Sequence, residues 1–598
     1  MKTLVFLTSS AIAGTLLLGC VPSLAQATKP LDAVTPVTDA MLLNPPDSDW
    51  LMSRRTYDGW GYSPLDQINT KNVKDLKVAW TWSMLPGPTE TTPLVHDGVL
   101  YIYNHGTTIQ ALDATNGDLL WQYQRQLPQE LIDQGGNPNG MRSLAIYGDN
   151  LIVATDDVHL LALNAKTGQL AWDKTTADWV KGWQYTAGPM IADGKIIQSM
   201  TGCGNAQPGG CFVAAYDPKD GSELWRTHTI AQSGPEGDTW NGLPLDSRFG
   251  GSAWITGSYD PAQGLLFYGV GQPYPWIAEI SGLVPAKPGM KNDALYTDST
   301  LAIDPKTGKI KWYHQYLQND TWDLDYAYER MLIDLPMDGV DTKQVVTTGK
   351  LGIIESLDRV SGKWLWAKQT VPQNVVQAID PKSGAKTINP AAIPHIGATT
   401  VNCPADPGGR AWPATAYSPK TQMLYLPLNE FCSNTTPQPF DPGQIYTGGG
   451  RATFDRTKVP NSDGNVGRID AVKLTDQSTA WSHRQPAPIT SAVLPTAGDV
   501  VFNGDLNRYF SAYDANTGEL LWQMRTNNVI NSFPISYSVK GKQYVAVVVG
   551  EGDGMMKSMQ TLAPNMVLPD QGVALWVFTL PDSDTNAGAA SPASTTSK

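Results

Sequence analysis

The sequence predicts an all-β protein, an eight-bladed β-propeller, and an internal repeat is the main reason. Six segments share one spacing, in which an Asp or Asn is followed four residues later by Gly and eight residues later by Trp. The chain also has 20 Trp and 56 Gly, as a fold made of such units requires. The repeats begin at Asp113, Asn164, Asp217, Asp304, Asp358 and Asp514.

Each copy of the repeat predicts a β-hairpin. An apolar strand leads to the Asp or Asn, whose side chain favours a tight turn that Gly closes, and a second strand ends in Trp. A single hairpin is only marginally stable in water, so such units must stack their faces on one another. The radial way of stacking four-stranded units is a propeller with tryptophan-docking repeats.

Weaker copies fill the gaps between the six strong ones. Asp470 leads to Trp481 with a few extra residues, and the segment from Ala416 keeps the turn but lacks the Asp and the Trp. Residues 78–82, VAWTW, are typical of an outer strand without its hairpin partner. Together the copies predict about eight blades over residues 50–580.

The two ends of the chain differ from the repeats. An apolar run from Leu4 to Leu18 ends shortly before a small-x-small cleavage motif, which predicts that residues 1–27 are a signal peptide. The run is too short to span a membrane. Residues 28–49 form a predicted N-terminal extension, and residues 581–598, rich in Ala, Ser and Thr, a disordered tail.

A second interpretation of the leader stays open. Leu17-Leu18-Gly19-Cys20 resembles a lipobox, in which Cys20 becomes an acylated N-terminus and would anchor the protein to a membrane. Either route leads out of the cytoplasm, so we expect a periplasmic protein. Four cysteines remain after the leader, and an even number in an oxidising compartment predicts two disulfides. Sequence order favours Cys203 with Cys211 and Cys403 with Cys432.

Charge and motifs exclude several classes of function. The net charge is −13 and there is no basic run, which argues against binding to nucleic acid or to an anionic membrane surface. The chain has no Cys-x-x-Cys-His, so no covalent haem is attached. If the protein is a redox enzyme, its electrons must leave to a separate carrier.

The acidic stretch from Asn319 to Asp325 is the strongest chemical motif. It follows the strand that ends near Trp312, where a connecting segment would reach the central channel. Asp323 and Asp325 are two residues apart, so in an extended segment both carboxylates point to the same side and can converge on one cation. Taken alone, such a pair is most often a solvated acidic turn.

The repeats and this motif together resemble the PQQ-dependent (quinoprotein) alcohol dehydrogenases, which are eight-bladed propellers. The resemblance covers most of the mature chain, and Trp322-Asp323-Leu324-Asp325 matches the family's Trp-Asp-x-Asp signature. It implies that Asp323 is the catalytic base and a metal ligand. It also implies that Asp325 adds an oxygen ligand for the metal, often a lanthanide.

Further stretches match the family in the family's own order. The pair Gly257–Pro261 and Gly269–Trp276 resembles its GSYDP and GxGNPxPW motifs, which puts Gln272 at the position of a metal-binding Asn. Trp254 takes the position of the indole that stacks on the quinone, and Lys350 that of the cation near the quinone oxygens. The cofactor-binding residues that the resemblance implies are Glu90, Arg142, Thr186, Thr201, Gly202, Ser252, Trp254 and Lys350.

Departures from the family pattern leave the metal open. Where the family has Ser-Gly-Ala-Glu, this chain has Thr201-Gly202-Cys203-Gly204, so the metal-binding Glu is missing. Asn205 of the same loop is a candidate metal ligand, and the charge of Asp325 is the alternative replacement. Ala411 replaces a family Asn, and the region from Pro128 to Arg142 lacks the adjacent cysteines that cover the quinone in many members. The remaining oxygen donors suit Ca²⁺ or a lanthanide ion. The spacing of Cys403 and Cys432 resembles a structural disulfide of the family.

The function implied is oxidation of an alcohol by hydride transfer to PQQ, with electrons passed to an acceptor such as cytochrome c. The missing cysteine ring and the altered loop at Cys203 suggest a pocket for bulky or secondary alcohols. Two alternatives remain from the sequence. One is a non-catalytic propeller lipoprotein of the outer-membrane assembly type, and the other is a PQQ-dependent sugar or polyol dehydrogenase.

Overall fold

The repeats fold into four-stranded antiparallel sheets, which confirms the predicted all-β propeller. The computed structural model describes residues 31, 34–135, 140–337, 339–440, 450–460, 462–551, 558–569 and 571–582. Within these residues there are eight four-stranded sheets, the number of blades that the repeats predict. The signal peptide, the lipobox and all but the first two residues of the predicted tail lie outside the described residues, and the domain boundaries stay a prediction.

We number the blades 1 to 8 along the chain from Leu94, and the earlier strand Lys77–Ser83 belongs to blade 8. The strands of blades 1 to 4 are Leu94–His96, Val99–Asn104, Thr108–Asp113 and Leu119–Gln124; Ala145–Tyr147, Asn150–Ala154, His159–Asn164 and Leu170–Thr175; Met190–Ala192, Lys195–Ser199, Phe212–Tyr216 and Glu223–His228; Ser258–Asp260, Leu265–Gly269, Ser299–Ile303 and Ile310–Gln315. The strands of blades 5 to 8 are Met331–Met337, Val340–Thr348, Ile353–Asp358 and Trp364–Gln369; Ala416–Ser418, Met423–Asn429, Gly467–Lys473 and Thr479–Gln485; Leu494–Pro495, Val500–Gly504, Tyr509–Asp514 and Leu520–Arg525; Ile535–Val539, Lys542–Val549, Ala574–Thr579 and Lys77–Ser83.

Tryptophan docking between neighbouring blades explains the spacing of the repeat. Trp121, in the last strand of blade 1, is fully buried and donates its indole N–H to the carbonyl of Ala165 in the turn of blade 2, at 3.0 Å. Gly168 in that turn has φ +68°, and a Cβ there would lie 2.5 Å from the Trp121 ring. Gly is therefore required both for the left-handed turn and for the close approach of the indole.

The first and last strands of the propeller share one sheet. Lys77–Ser83, which contains VAWTW, pairs antiparallel with Ala574–Thr579 and completes blade 8. This confirms the predicted outer strand. Its Trp80 donates to the carbonyl of Ala114 in blade 1, at 3.3 Å, and so continues the docking pattern around the ring. Pairing the two ends of the propeller in one sheet closes the ring of blades.

One weak copy of the repeat is not a separate unit. The segment from Ala416 forms the first two strands of blade 6, and the hairpin that leads to Trp481 forms the other two strands of the same sheet. The prediction counted it as a weaker copy that fills its own gap, whereas it shares one blade with the copy at Asp470.

The remaining elements are short and connect or cover the blades. No helix among the described residues is long and apolar enough to cross a membrane. Both predicted disulfides form, with Cα–Cα distances of 5.3 Å for Cys203–Cys211 and 4.4 Å for Cys403–Cys432. The additional strands are Phe249–Gly250, Pro273–Tyr274, Val376–Ile379, Lys386–Ile388, Thr400–Asn402, Phe431–Pro437 and Ala452–Lys458. The α-helices are Asp39–Leu43, Gln129–Asp133, Gly234–Gly237 and Ala278–Ser281, and the 3₁₀-helices are Val73–Asp75, Trp179–Lys181, Leu245–Ser247, Pro390–Ala392 and Gln560–Leu562.

Candidate active site

Segments that precede the first strands of successive blades bring the predicted cofactor residues together. Glu90 lies before blade 1, Arg142 before blade 2, Thr186 before blade 3 and Trp254 before blade 4. The Arg142 guanidinium pairs with the Glu90 carboxylate, Nη2 to Oε2, at 2.5 Å, and both side chains are buried. The four segments therefore converge at one end of the propeller, although up to 164 residues separate them.

The indole of Trp254 has a charged group over one face. The Cζ of Arg142 lies 4.9 Å from the centroid of the Trp254 ring, which is the geometry of a cation–π contact. The Trp254 carbonyl accepts the Thr186 hydroxyl at 3.0 Å. Tyr328 packs against the indole edge-on, with centroids 5.2 Å apart. These contacts hold the ring that the resemblance assigns to stacking on the quinone.

A chain of hydroxyls links the cofactor residues to the segment that carries Gln272. Thr201 Oγ1 donates to Ser252 Oγ at 3.0 Å, and Ser252 Oγ lies 2.9 Å from the Tyr274 hydroxyl. The Ser252 carbonyl accepts the backbone N–H of Gly271 at 2.8 Å. Gly202 has φ +75°, and a Cβ there would collide with the carbonyl of Gly182, so only Gly fits beside Thr201.

Asp323 and Asp325 share one lysine. The Lys350 ammonium lies 3.0 Å from Asp323 Oδ1 and 3.3 Å from Asp325 Oδ2, and it also donates to the Asp323 main-chain carbonyl at 2.8 Å. Gln272 joins the same group, because its side-chain amide N–H donates to Asp323 and its backbone N–H donates to Asp325 Oδ1 at 3.1 Å. The predicted base, both predicted carboxylate ligands and the predicted quinone-side lysine are therefore in direct contact.

Burial and charge set the ionisation of this group. Burial raises the pKa of the Asp323 carboxyl well above its ordinary value, Lys350 counteracts this rise, and Asp325 adds to it. Burial lowers the pKa of Lys350, but Asp323 and Asp325 raise it by more, so its pKa ends well above the ordinary value and the ammonium stays charged. A further cation near Asp323 would act in the same direction as Lys350 and favour the carboxylate.

The oxygen donors present fit a hard cation. Gln272 is buried, and its Oε1 has no hydrogen-bond partner among the described residues. Buried polar atoms are normally paired. The unpaired amide oxygen beside two carboxylates can therefore serve as a metal ligand. Carboxylate and amide oxygens are the ligands that Ca²⁺ and related ions prefer. Asn205 lies half-buried in the turn between Cys203 and Cys211, and its role as a ligand stays a prediction.

The structure adds residues that the sequence did not single out. Tyr274 completes the hydroxyl chain at Ser252, and Trp412 lies under Arg142, 5.5 Å from its Cζ to the ring centroid. Asp320 is fully buried and accepts two backbone N–H groups of the loop that carries Asp323. Tyr274 and Asp320 stand inside the motifs quoted above, and Trp412 follows Ala411. A search for aromatic and acidic neighbours of those motifs could have found all three.

Comparisons with known proteins identify the family of this chain. The family model of the PQQ-dependent glucose/ethanol/alcohol dehydrogenase β-propeller domain matches residues 50–383 and 377–545. The chain is 30% identical over 551 residues to the quinoprotein alcohol dehydrogenase PedH of Pseudomonas putida, covering 88% of this chain and 89% of that one. It is 32% identical to the dehydrogenase subunit of the quinone alcohol dehydrogenase of Gluconobacter oxydans, covering 84% of this chain and 70% of that one.

A solved structure has the same fold over nearly the whole chain. A europium-containing methanol dehydrogenase superposes with a TM-score of 0.82 at 27% identity, covering 91% of this chain and all of the other. The family model spans far more than half of the chain. This protein belongs to the family of PQQ-dependent glucose, ethanol and alcohol dehydrogenases.

Proposed function

We propose that this protein is a PQQ-dependent dehydrogenase that oxidises an alcohol to an aldehyde or a ketone. The observation that carries the proposal is the contact of Asp323 with Lys350 and Gln272 in a chain whose relatives are named quinoprotein alcohol dehydrogenases. The scaffold lipoprotein and the sugar dehydrogenase are not favoured, because these relatives are alcohol dehydrogenases.

The residues around Trp254 fit a planar, anionic cofactor. Arg142 is buried, and its Nε has no hydrogen-bond partner among the described residues, so it can still bind an acidic group. Thr186, Thr201 and Ser252 offer hydroxyls beside it, and Glu90 orients the guanidinium. The flat indole of Trp254 would support the ring system of PQQ. Gly202, also a predicted cofactor residue, lets the backbone next to Thr201 pack against the Gly182 carbonyl.

Asp323 is placed to receive the proton of the alcohol hydroxyl. When bound, PQQ supplies an electrophilic carbonyl that accepts the hydride of the alcohol carbon, and a cation polarises that carbonyl. The carboxylate of Asp323 would take the hydroxyl proton in the same step. One alcohol then gives one carbonyl product, one proton on Asp323 and one hydride, which carries both electrons. Lys350 holds Asp323 through the side chain and the main-chain carbonyl and so fixes the direction of its carboxylate.

The cation would be held by Gln272, Asp323 and Asp325, with Asn205 as a further ligand. Three oxygen donors that include two carboxylates suit Ca²⁺ and suit a trivalent lanthanide at least as well, because the second carboxylate adds negative charge. The europium-containing methanol dehydrogenase of the same fold supports a lanthanide as the first ion to test.

The proposal also covers the cellular compartment, the electron acceptor and the substrate. We expect a periplasmic enzyme that passes its electrons to a separate acceptor such as a soluble cytochrome c, since the sequence contains no covalent haem motif. Bulky or secondary alcohols are the expected substrates, because the cysteine ring of many relatives is absent here and the Cys203–Cys211 loop replaces a family Glu.

The test is a dye-reduction assay on purified protein with PQQ and either Ca²⁺ or a light lanthanide, against primary, secondary and sugar alcohols. Turnover that needs both the quinone and the metal is the expected result, with higher rates on bulky or secondary alcohols. Turnover of methanol and ethanol alone would reject the substrate proposal. No turnover in any combination, with no PQQ bound by absorbance, would reject the enzyme.

A further inference from the structure

Asp323 has a backbone conformation that needs outside support. Its φ is +66°, in the left-handed region that residues with a side chain rarely adopt. That conformation costs on the order of 1 to 3 kcal/mol and persists only where surrounding contacts impose it. Asp323 lies between the last strand of blade 4, Ile310–Gln315, and the first strand of blade 5, Met331–Met337, in a segment without regular secondary structure.

The unusual conformation has a chemical result. The main-chain carbonyl of Asp323 and its carboxylate Oδ1 both accept hydrogen bonds from Lys350 Nζ, at 2.8 and 3.0 Å. Lys350 is itself pinned, because its backbone N–H donates to the Asp325 carbonyl at 3.0 Å. The left-handed turn therefore sets where the proposed base points relative to the ammonium and to Gln272.

Asp320 contacts the backbone N–H groups of the two residues that flank Asp323. Its Oδ1 accepts the N–H of Trp322 at 2.8 Å, and its Oδ2 accepts the N–H of Leu324 at 2.6 Å. Asp320 is fully buried, and each carboxylate oxygen has one of these backbone donors. Because one buried carboxylate accepts from the residues before and after Asp323, this pair of hydrogen bonds is well suited to impose the strained conformation.

We propose that Asp320 is a positioning residue of the active site, which holds Asp323 in its left-handed conformation and thereby aims the catalytic carboxylate. This inference rests on the proposed function and adds a residue to it. Asp320 has no role in the cofactor or metal contacts assigned above. It acts through the N–H groups of the two residues that flank the base.

Other side-chain hydrogen bonds of this loop do not involve the N–H groups of Trp322 and Leu324. Thr321 Oγ1 accepts the backbone N–H of Ala278 at 3.1 Å, and the Trp322 indole donates to the Ala392 carbonyl at 2.6 Å. Both contacts attach the loop to neighbouring segments. Neither touches the N–H of Trp322 or Leu324, so they provide a matched comparison with Asp320.

The test variant is Asp320→Asn, which keeps the shape but offers only one acceptor oxygen. One of the two N–H groups would then face an NH₂ group, and the turn at Asp323 would relax. With PQQ and metal present, we expect kcat to fall at least tenfold with KM within about twofold, because a small misplacement of a catalytic group lowers rate more than binding. Without PQQ, we expect the dissociation constant of Tb³⁺, read by its luminescence, to rise at least tenfold.

Thr321→Val is the matched control. It is buried in the same loop, has nearly the same shape and loses one hydrogen bond, so it should lower thermal stability while leaving kcat and Tb³⁺ affinity within about twofold. If Asp320→Asn does not yield folded protein, Asp320→Ser leaves a single small acceptor and no buried charge, and the same two readouts apply.

The outcomes separate the two proposals. Asp320→Asn protein that loses only thermal stability, with wild-type kcat and Tb³⁺ affinity, would overturn the positioning role and leave the proposed function standing. Wild-type protein that binds Tb³⁺ but never turns over alcohols would reject the proposed function, and the Tb³⁺ affinities of the two variants would still decide whether Asp320 organises the site. Wild-type protein that neither turns over alcohols nor binds Tb³⁺ would overturn both.

Discussion

Aspartates at the rim and at the centre of the propeller make the same local contact in different surroundings. At the rim, Asp113 and Asp304 each accept a backbone N–H two residues on, both at 2.9 Å, and both side chains are partly exposed. At the centre, Asp320 makes the same contact with Trp322 at 2.8 Å but is fully buried. The turn chemistry is local and shared, whereas the function comes from what the fold packs around it.

The comparison extends to the neighbours of each turn. The rim turns receive the tryptophan of the preceding blade, an apolar ring with one N–H donor. The central loop instead brings Asp323 and Asp325 against one buried ammonium, Lys350, and an amide oxygen of Gln272 without a partner. At the rim, the indoles of Trp121 and Trp225 each have a carbonyl acceptor and stabilise the fold. The centre instead keeps the buried amide oxygen of Gln272 unpaired beside two carboxylates, which is typical of a functional site.

The largest expected effect is on the central base. Asp323→Asn should lower kcat by about 10² to 10⁴, the usual contribution of a general base, because the amide cannot take a proton. Asn tolerates positive φ, so the turn should survive. The measurement is dye-reduction kinetics with bound PQQ confirmed by absorbance. Asp304→Asn at the rim is the control and should keep wild-type kcat; equal activity in both variants would break the comparison.

The next largest effect is expected for a docking tryptophan at the rim, and it should change only the free energy of unfolding. Trp121→Ala removes a fully buried indole and its bond to Ala165, and we expect a loss of about 3 to 5 kcal/mol in the free energy of unfolding. Urea unfolding measures it, and kcat per folded molecule should not change. Trp172 is half-buried, so Trp172→Ala should cost less; the reverse order would contradict the docking account.

A third test concerns a buried charged group, His96 with its neighbours, that lies outside the candidate active site. His96 is fully buried, and its ring nitrogens contact Asp49 Oδ2 at 2.7 Å and the Thr35 carbonyl at 2.8 Å. Together with Asp97 these residues form a group that could hold a metal, but here both ring nitrogens already have acceptors. Burial lowers the pKa of His96, yet Asp49 and Thr35 raise it by more, so its net pKa is above the ordinary value.

The pH dependence follows from the sign of that shift. The protonated ring stabilises the folded state fully below the unfolded pKa of about 6.5, and the contribution is lost as pH rises through the higher folded pKa. Compared with His96→Gln, the wild type should therefore be more stable near pH 6, and the difference should shrink at alkaline pH. Thermal unfolding across pH measures this. A difference that grows with pH, or a changed kcat, would contradict a purely structural role.

The smallest effect belongs to a rim turn. Asp113→Ala removes an acceptor for the backbone N–H and the hydroxyl of Thr115, at 2.9 and 2.5 Å, in a partly exposed position. We expect a loss of about 1 kcal/mol or less in the free energy of unfolding, with no change in kcat. A loss as large as that of Trp121→Ala would mean that the turn, and not the indole, holds neighbouring blades together.

Much of the fold could be predicted because the repeat acts locally. The turn residue, the Gly and the Trp stand within nine residues of one another, and the Gly–Trp docking explains why the spacing recurs. Ala416 shows the limit, since its turn is real but belongs to the inner hairpin of blade 6. A turn motif identifies a hairpin, and it does not say which pair of strands in the blade the hairpin forms.

The candidate site was only partly predictable. Asp323 and Asp325 follow from spacing, and Gln272, Lys350 and Arg142 follow from resemblance to a family. Neither source indicated that Asp320 would accept hydrogen bonds from the N–H groups on either side of the base. Neither indicated that Trp412 would lie under Arg142, 270 residues away. The Trp412 contact joins segments from different blades, and spacing along the chain carries no information about it. The Asp320 contacts are local, but they depend on a backbone conformation that the spacing does not specify.

The sequence by itself determined the class of fold, the number of repeats, the two disulfide pairs and the residue types available for chemistry. These properties depend on short-range turn chemistry and on composition, which a chain carries before it folds. Only the tertiary structure decided that one buried ammonium, that of Lys350, serves both carboxylates, and that the Gln272 amide oxygen remains without a partner. The physical reason is that burial and long-range contacts set charge, pairing and direction, and these exist only once the blades have closed into a ring.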